Sequence, residues 1–378
     1  MPIRICHLIT DLDTGGAERT LVNLVTALDQ TKFSCDVVTL LKPGSMARPL
    51  IEADIPVTSL GMLRGQASVG ALLTLVRHLH ATKPLILQTW LYHADLIGMV
   101  AAFICRPKFL LWNVRCTDMT QGESEKPIRW LVRTLALLSR RPHAIIVNSH
   151  QGKQDHVGIG YHPRRWINIP NGVDVERFSP RYAERGTMRR RLGLDPNTLT
   201  IGLVARDHAM KDVDTFLCAA SLFCKSHHQV QFVLCGDGFS ADNATLNTRI
   251  ASLDLKHHVF LLGRRQDMEL IYPAFDILTL CSIYGEGFPN VLCEAMACGV
   301  PCVATDVGDS ARIIADCGVI VPMRTPEALA EGWRTLLERG PGRLGRCARA
   351  RVTERYDLDR MREQYQALYE SLAEPRSA

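Results

Sequence analysis

The sequence predicts an α/β protein with two domains, each built around a parallel β-sheet. Short runs rich in β-branched residues alternate with helical patterns along most of the chain, which is typical of parallel sheets covered by helices on both faces. Residues 169–180 interrupt this alternation with two prolines and an Asn-Gly pair, and a second series follows them. At about 150 residues per domain, a chain of 378 residues has room for two such domains.

The N-terminal series opens with a strand at residues 3–10. This run is apolar, but it is too short and too polar for a signal peptide, and it turns acidic at Asp11. The pattern then predicts helices at residues 17–29 and 94–104, and strands at 35–40, 85–89, 109–114 and 144–148.

The second series lies between residues 199 and 321. An amphipathic helix closes the chain, because apolar side chains recur there at spacings of three and four, at Met361, Tyr365, Leu368 and Leu372. The series itself consists of predicted strands at 199–204, 231–235, 258–262, 277–280, 301–305 and 318–321, with helices at 215–226 and 291–298.

The charge balance is mildly basic. The chain has 44 Lys and Arg against 39 Asp and Glu, a net charge of +5, which suits an anionic ligand or an anionic membrane face and is too small to indicate a nucleic acid. The longest apolar stretch, near residues 96–105, has half of the ~20 residues that cross a bilayer. The 13 cysteines include no Cys-x-x-Cys pair and lie mostly in apolar runs, so we expect a cytoplasmic protein with buried, reduced thiols.

Ligands bind at the carboxyl ends of the strands in open parallel sheets, so we expect the site in a cleft between the two domains. In the first domain, Gly15 and Gly16 stand between the first strand and a helix. Two glycines there allow the backbone to approach an anion closely at the helix N-terminus. The alternative is a tight turn that needs positive φ.

Two cations and two acids mark the second domain. Arg206 and Lys211 lie five residues apart in the loop after a strand, where both can donate charge-assisted hydrogen bonds to a diphosphate. Glu286 lies in a glycine-rich turn, and Glu294 lies about one turn into the helix that follows. A phosphate at the helix N-terminus, with hydroxyls donating to the two carboxylates, describes a nucleotide sugar. The alternative for each residue is a solvated loop or an ordinary helix position.

These motifs, in this order, resemble those of the family 4 retaining glycosyltransferases, which have the GT-B fold with two Rossmann-like domains facing each other across a cleft. The resemblance covers nearly the whole chain. It rests on Gly-Gly-Ala-Glu-Arg at 15–19, Asn-Ser at 148–149, Ile-Pro-Asn-Gly-Val-Asp at 169–174, the pair Arg206 and Lys211, Gly-Asp-Gly at 236–238, and the E-x7-E element from Glu286 to Glu294 with the residues up to Pro301.

The resemblance implies a division of the chain. Residues 1–175 form an N-terminal acceptor-side domain, and a C-terminal helix at 358–378 packs back on it. Residues 176–357 form the nucleotide-sugar donor domain.

The resemblance also implies roles for single residues. Arg206 and Lys211 hold the donor diphosphate and, with Glu286 at the donor sugar, are the catalytic residues. Glu294 accepts a hydrogen bond from the ribose, and no metal is required. Further donor contacts are expected at Gly15, Gly16, Arg115, Gly236, Gly238, Gly263, Arg264, Gly287, Phe288, Pro289, Asn290 and Val291.

The chain departs from the family pattern in the first domain. Many relatives have a His after the fourth strand, where Cys116 stands here, and we expect Arg115 or Thr117 to supply the contact to the sugar. His93 and Asp95 also follow a strand, and we assign them to acceptor binding. For His93 the alternative is a structural role at the start of a helix.

The segment Gly-Asp-Gly-Phe-Ser-Ala at 236–241 fits the dinucleotide fingerprint. The fingerprint needs an acid at the end of the next strand to bind a ribose, and that strand ends in Gly263 and Arg264 instead. We therefore set an NAD site aside. Cys224, His227 and His228 lack the further ligands that a metal site needs.

A basic amphipathic helix is predicted at residues 126–141. Its apolar stripe lies beside several arginines, which is typical of a helix on an anionic membrane and equally of an ordinary helix whose apolar face lies in the core. The stripe consists of Ile128, Leu131, Leu135 and Leu138.

The sequence thus predicts a metal-independent, retaining hexosyl glycosyltransferase that uses a UDP-, GDP- or ADP-sugar and no cofactor. By analogy we expect a lipid-linked saccharide acceptor in bacterial polysaccharide assembly, a cytoplasmic enzyme with peripheral contact at the inner face of the membrane, and no nucleic acid partner. Two alternatives stay open: a sugar-nucleotide epimerase of the same fold, and a non-catalytic protein that binds a nucleotide sugar.

Overall fold

The computed structural model describes residues 2–13, 15–66, 68–115 and 126–374. They divide into two compact units. Unit 1 comprises the residues up to Gly172 together with those from Leu358 onward, and unit 2 comprises Val173–Asp357. The chain enters unit 2 three residues before the expected position, because the Val173 amide donates to the Tyr356 carbonyl at 2.8 Å within unit 2.

Unit 1 contains a seven-stranded sheet whose paired strands are all parallel, in the order β3-β2-β1-β4-β5-β6-β7. Helices cover both of its faces, which explains why its central strands are apolar along their whole length. The strands are β1 Ile3–Ile9, β2 Phe33–Thr39, β3 Val57–Ser59, β4 Ile86–Trp90, β5 Phe109–Val114, β6 Ala144–Val147 and β7 Trp166–Asn168.

The helices of unit 1 form two layers. Ser68 and Ser149 cap two of them by accepting a hydrogen bond from a first-turn amide, at 3.2 and 3.0 Å. In chain order the helices are α1 Gly16–Ala27, α2 Arg48–Glu52, α3 Val69–Thr82, α4 Tyr92–Cys105, α5 Lys126–Leu138 and α6 His150–Ile159, and the last helix of the chain, Leu358–Ala373, also belongs to this unit.

The C-terminal helix packs on unit 1, as expected. Met361, Tyr365, Leu368 and Tyr369 lie in the same core as the apolar side chains of α1 and β1. The apolar spacing of three and four in the sequence is therefore the face that this helix buries.

Unit 2 contains a six-stranded sheet, again with parallel pairings throughout, in the order β10-β9-β8-β11-β12-β13. One apolar core lies on each face of it. The strands are β8 Leu199–Val204, β9 Val230–Cys235, β10 Val259–Leu261, β11 Ile277–Leu280, β12 Cys302–Thr305 and β13 Val319–Val321.

The helices of unit 2 follow the strands in a βα alternation. Short 3-10 turns at Ala209–Lys211, Tyr272–Ala274 and Ala315–Cys317 connect some of them. The helices are α7 Arg185–Arg191, α8 Val213–Cys224, α9 Ala244–Ser252, α10 Met268–Ile271, α11 Asn290–Ala297, α12 Ser310–Ile314, α13 Pro326–Glu338 and α14 Pro341–Arg355, which leaves α15 as Leu358–Ala373.

The cysteines differ from expectation at one pair. Cys317, in the turn before β13, and Cys347, on α14, form a disulfide with their Cα atoms 5.4 Å apart. The expectation of reduced thiols is wrong for this pair, because sequence spacing does not reveal that the two segments meet. Ten other cysteines are free thiols, and Cys116 lies outside the described residues.

Among the helices of the described ranges, none has both the length and the apolar character needed to cross a bilayer.

Candidate functional site

The candidate site lies where β8, β9, β10 and β11 of unit 2 end. Two backbone hydrogen bonds join the loops that leave the first three of these strands. The Asp207 amide donates to the Asp237 carbonyl at 2.8 Å, and the Gly236 amide donates to the Gly263 carbonyl at 2.9 Å. The loops that carry Arg206, the Gly-Asp-Gly segment and Arg264 are therefore neighbours.

Glycine is required at two positions of this edge. Gly236 has φ of 142°, and a Cβ there would lie 1.7 Å from the Ala205 carbonyl oxygen. Gly238 has φ of 87°, and its Cβ would lie 2.6 Å from that of Asp207. The glycines let the loops after β8 and β9 approach each other closely, which is a structural reason for the motif that the sequence assigned to donor binding.

Arg206 and Lys211 have different surroundings. Arg206 is exposed, and no described residue forms a hydrogen bond or an ion pair with its side chain. Lys211 ends the 3-10 turn Ala209–Lys211, and its ammonium group forms an ion pair with Glu286 Oε1. The exposed fractions of these two side chains are only 16% and 11%, so the pair is shielded from water.

Glu286 is fixed from two sides. Besides Lys211, the Ser282 hydroxyl donates to its Oε1 at 2.7 Å. The Ile283 amide also donates to the Met210 carbonyl at 2.8 Å, which joins the loop after β11 to the loop after β8. Two residues that lie 75 positions apart in the sequence thereby form one ion pair.

Helix α11 begins four residues after Glu286. It starts at Asn290, after Pro289, and no side chain of the preceding residue caps it. The first turn of a helix carries amides without intrahelical acceptors and the positive end of the helix dipole, which together favour an anion. Gly287 and Phe288 are buried just before this turn, and Val291 is half-buried in it.

Glu294 lies one turn further along α11 and is buried. Its Oε2 accepts a hydrogen bond from the Tyr272 hydroxyl at 2.7 Å. Tyr272 belongs to the turn Tyr272–Ala274 before β11, and it is fully buried. Tyr272 is not among the residues predicted from the sequence, because its apolar neighbours are typical of an ordinary core segment.

The glycine pair of unit 1 does not form a turn with positive φ. Gly15 is extended, with φ of −157°, and precedes the first residue of α1, Gly16. A Cβ at Gly15 would lie 2.0 Å from a carboxylate oxygen of Glu18. Burial raises the pKa of Glu18, and the nearby charges of Asp11 and Asp13 add to this effect. Because this contact is with the flexible end of the Glu18 side chain and Gly15 is extended, the structure does not require glycine at this position.

Arg115 is buried at the carboxyl end of β5. Its Nε donates to Asn113 Oδ1 at 2.9 Å, its Nη2 donates to the Tyr365 hydroxyl at 2.7 Å, and its Nη1 donates to Asn171 Oδ1. The guanidinium also lies over the ring of Trp90, 4.7 Å from its centre. Burial lowers the pKa of Arg115. These contacts tie the end of β5 to α15 and to the last residues before unit 2.

The two predicted acceptor residues differ in exposure. His93 is exposed in the first turn of α4, whereas Asp95 is completely buried and accepts a hydrogen bond from the Thr89 hydroxyl. Burial raises the pKa of Asp95 well above its usual range. Leu91, just before α4, has φ of 70°, a conformation that costs a non-glycine residue about 1–3 kcal/mol. Strained backbone of this kind is frequent at functional sites, and sequence patterns do not reveal it.

Arg264 is exposed directly after Gly263, at the same edge of unit 2. Cys116 and Thr117 lie outside the described residues. In the part of the chain that the structure describes, the potential metal ligands of Cys6, Asp36 and His78 lie within 4.8 Å of one another in unit 1. Asp36 and His78 already form an ion pair of 2.6 Å there.

Two family models match the chain. Residues 14–177 match the model described as Glycosyltransferase Family 4, and residues 184–351 match the model described as Glycosyl transferases group 1.

Three curated relatives are between 24% and 36% identical to the chain. The chain is 24% identical over 340 residues to a Bacillus subtilis protein named as the glycosyltransferase EpsF, covering 86% of this chain and 85% of the relative. It is 27% identical over 243 residues to UDP-Gal:alpha-D-GlcNAc-diphosphoundecaprenol alpha-1,3-galactosyltransferase of Escherichia coli, covering 63% and 62%. It is 36% identical over 207 residues to D-inositol 3-phosphate glycosyltransferase of Corynebacterium jeikeium, and this match spans about half of each chain, 52% and 48%.

Solved structures share the fold. HepE of Anabaena, crystallised with UDP, is 23% identical with a TM-score of 0.85, and the match covers 97% of this chain and 100% of HepE. Sucrose-phosphate synthase of Thermosynechococcus elongatus is 19% identical with a TM-score of 0.78, covering 98% and 99%.

Proposed function

We propose that this chain, which belongs to the family 4 glycosyltransferases with the GT-B fold, transfers a hexose from a nucleoside diphosphate sugar to a hydroxyl acceptor with retention of configuration. The observation that carries the proposal is the edge of unit 2 where exposed Arg206, the ion pair of Lys211 with Glu286, and the first turn of α11 adjoin one another. Cations and a helix N-terminus at one strand edge suit a diphosphate.

The cations act on the leaving group. When the bond between sugar and phosphate breaks, negative charge grows on the diphosphate, and fixed positive groups stabilise that charge. Arg206 offers a guanidinium that no described side chain occupies, and Lys211 offers an ammonium group that one carboxylate already orients. If each contact strengthens by about 2 kcal/mol in the transition state, the pair contributes roughly a thousandfold in rate.

The two acids act on hydroxyls. Glu286 has one oxygen engaged by Lys211 and Ser282, and we assign its carboxylate to the donor sugar. Glu294 is oriented by Tyr272, and we assign it to the ribose. The backbone from Gly287 to Val291, at the start of α11, completes the proposed donor pocket, with Gly236, Gly238, Gly263 and Arg264 bordering the nucleotide.

Unit 1 is assigned to the acceptor. His93 is the exposed candidate at the start of α4, and buried Asp95 supports that turn through Thr89. The resemblance to the family adds donor contacts at Gly15, Gly16 and Arg115. For Arg115 this role adds to the contacts that already hold its guanidinium.

The relatives favour a UDP-sugar and a lipid-linked acceptor. HepE was crystallised with UDP and with UDP-glucose, and the Escherichia coli relative is named for transfer from UDP-Gal to a GlcNAc-diphosphoundecaprenol. These names support bacterial polysaccharide assembly as the setting of the proposed reaction.

A transfer assay tests the proposal, with UDP-glucose or UDP-galactose as the donor and an undecaprenyl diphosphate saccharide as the acceptor. We expect Arg206→Ala to lower turnover at least about tenfold, because it removes a contact to the diphosphate that strengthens in the transition state. The matched control is Arg346→Ala, at an exposed arginine of α14, which should leave turnover unchanged. Equal rates for Arg206→Ala and wild type would remove Arg206 from the diphosphate site.

Nuclear magnetic resonance of the product tests the stereochemistry of transfer and the two alternative functions. An α-linked product from an α-linked donor supports retention, and a β-linked product contradicts it. Conversion of the donor sugar without any acceptor would instead identify an epimerase, and nucleotide-sugar binding without turnover would identify a binding protein.

Metal independence is part of the proposal, because the two cations supply the positive charge that a divalent ion supplies in other enzymes. Turnover should therefore survive dialysis against a chelator. Loss of activity on chelation, with recovery on adding Mg²⁺ or Mn²⁺, would contradict this.

A further inference from the structure

Large apolar side chains are exposed on the layer formed by α3, α4 and α5 of unit 1. Helix α4 packs between α3 and α5 on one face of the sheet. Phe103 of α4 is 80% exposed, Trp130 of α5 is 73% exposed, and Leu137 of α5 is 87% exposed. Exposure of this degree at neighbouring helices is unusual for a surface that meets only water.

The exposed residues follow helical spacing. On α3 they are Val69, Leu73 and Arg77, four residues apart, and on α5 they are Trp130, Arg133 and Leu137, three and four apart. Each helix thus turns one stripe of apolar and basic side chains away from the sheet. Val100 and Ile104 flank Phe103 on α4 and are also exposed.

These stripes are not the one that the sequence offered to a membrane. Leu135 is completely buried, and Ile128, Leu131 and Leu138 are partly buried against the same core. Of the two orientations that the sequence left open for this stripe, the structure has the one in which it packs inside unit 1. The exposed side of α5 is the opposite side, which carries Trp130 and Leu137.

The segment that contains this layer has more cations than acids. Residues 68–141 contain ten Lys and Arg, of which Arg115 is buried, and four acids. Of the acids, Asp95 is completely buried, and Asp118, Glu123 and Glu125 lie outside the described residues. At the ends of α3 and α4 a cavity of about 550 Å³ is lined by Arg4, Lys83, Arg106 and Lys108, and no described residue that lines it is acidic. This segment therefore carries a surplus of positive charge.

We infer that the α3–α4–α5 layer docks on an anionic lipid surface, with Phe103 and Trp130 inserted among the acyl chains and the surrounding arginines on lipid phosphates. Apolar side chains interleaved with cations match a bilayer surface, which presents hydrocarbon beneath negative headgroups. A protein partner of negative charge would not require so many exposed apolar side chains. A second copy of this layer would repel it, because the stripes of α3 and α5 each carry a cation.

Sedimentation with vesicles tests the inference. We expect wild type to bind vesicles of phosphatidylcholine with about one-third phosphatidylglycerol, and to bind pure phosphatidylcholine at least about tenfold less well, because each cation near an anionic surface contributes to binding. The double variant Phe103→Ser with Trp130→Ser should weaken binding to the anionic vesicles at least about tenfold. The double variant Arg77→Gln with Arg133→Gln should weaken it by about 25-fold and make it less sensitive to salt.

Matched controls use residues away from the layer. Ile51→Ser removes an apolar side chain that is 62% exposed on α2, which packs on the other face of the sheet. Lys256→Gln with Arg346→Gln removes two exposed cations of unit 2. Both controls should bind the anionic vesicles like wild type, and all variants should keep their unfolding temperature and their affinity for UDP in calorimetry. Because vesicle binding and UDP binding are separate measurements, failure of this inference is distinguishable from failure of the proposed transferase activity.

Two results would overturn the inference. One is the same low binding of wild type to anionic and neutral vesicles. The other is a dimer in sedimentation velocity that dissociates on Phe103→Ser with Trp130→Ser while vesicle binding stays unchanged, which would assign the layer to a second copy of the chain.

Discussion

The two units share an architecture but differ in where they place polar side chains at the carboxyl ends of their strands. In unit 2, Arg206 is exposed and the pair of Lys211 with Glu286 lies at the sheet edge. In unit 1, Arg115 and Asp95 follow equivalent strand ends but are buried among side chains of the same unit. At this sheet edge unit 2 leaves Arg206 open to solvent, whereas unit 1 engages Arg115 and Asp95 in hydrogen bonds with its own side chains.

The units also differ in their surfaces. Of the twelve large apolar side chains that are exposed in the described residues, ten belong to unit 1, and only Tyr182 and Met323 belong to unit 2. Unit 2 therefore has the features of a site for a polar, charged ligand, and unit 1 those of a surface for an apolar partner.

The largest expected effect is a loss of turnover on replacing Lys211 of unit 2. Lys211→Met removes a cation from the proposed diphosphate site and leaves the shielded Glu286 carboxylate without its counter-charge. We expect turnover to fall by about a hundredfold or more, measured as kcat at saturating donor, and Lys211→Arg to retain more activity than Lys211→Met. Turnover of Lys211→Met close to wild type would show that the ion pair is structural, like the polar groups of unit 1.

The next effect concerns the stability of unit 1. Arg115→Met removes three buried hydrogen bonds and leaves Asn113 Oδ1 without the donor that Arg115 supplies, whereas Tyr365 and Asn171 still accept from the amides of Asn113 and Asn148. We expect the free energy of unfolding in urea to fall by about 2–3 kcal/mol. Tyr365→Phe removes the hydroxyl that accepts from Arg115 and from Asn113, and it should cost about 1 kcal/mol. A drop in turnover without a drop in stability would show instead that Arg115 acts on the donor as Arg206 does.

A smaller effect is expected at Glu294, the acid of α11. Glu294→Gln keeps an oxygen that can accept from Tyr272 but removes the negative charge that we assign to the ribose. We expect the Kd for UDP to rise about tenfold in calorimetry. Tyr272→Phe is the control for positioning and should raise the Kd less. Equal UDP binding by Glu294→Gln and wild type would contradict the ribose assignment.

The smallest effect is a pH dependence in unit 1. The hydrogen bond to Asp36 raises the pKa of His78 in the folded protein. The stabilisation by this pair is therefore fully present below the unfolded pKa of about 6.5 and is lost as pH rises through the higher folded pKa. Wild type should exceed His78→Gln in unfolding free energy by about 1 kcal/mol near pH 5.5, and by less near pH 9. A difference that grows with pH would contradict this assignment.

Local patterns in the sequence were sufficient to predict the fold and to select some residues of the candidate site. The βα alternation predicted both sheets, and the apolar spacing of the last helix marked the face that packs on unit 1. The pair Arg206 and Lys211 and the element from Glu286 to Glu294 could be identified because neighbouring residues in the chain share one loop or one helix end. For α5, the same pattern allowed a core or a membrane orientation, and the apolar stripe packs in the core.

The sequence by itself determined the properties of short segments: which runs form strands, where helices start, and which loops carry charge. Only the tertiary structure decided which distant groups meet, such as Lys211 with Glu286, Tyr272 with Glu294 and Cys317 with Cys347, and which ones the core encloses, such as Asp95 and Arg115. The physical reason is that backbone preference and amphipathic spacing act over a few residues. Burial and pairing depend instead on contacts between segments that the chain brings together only when the whole sheet has formed.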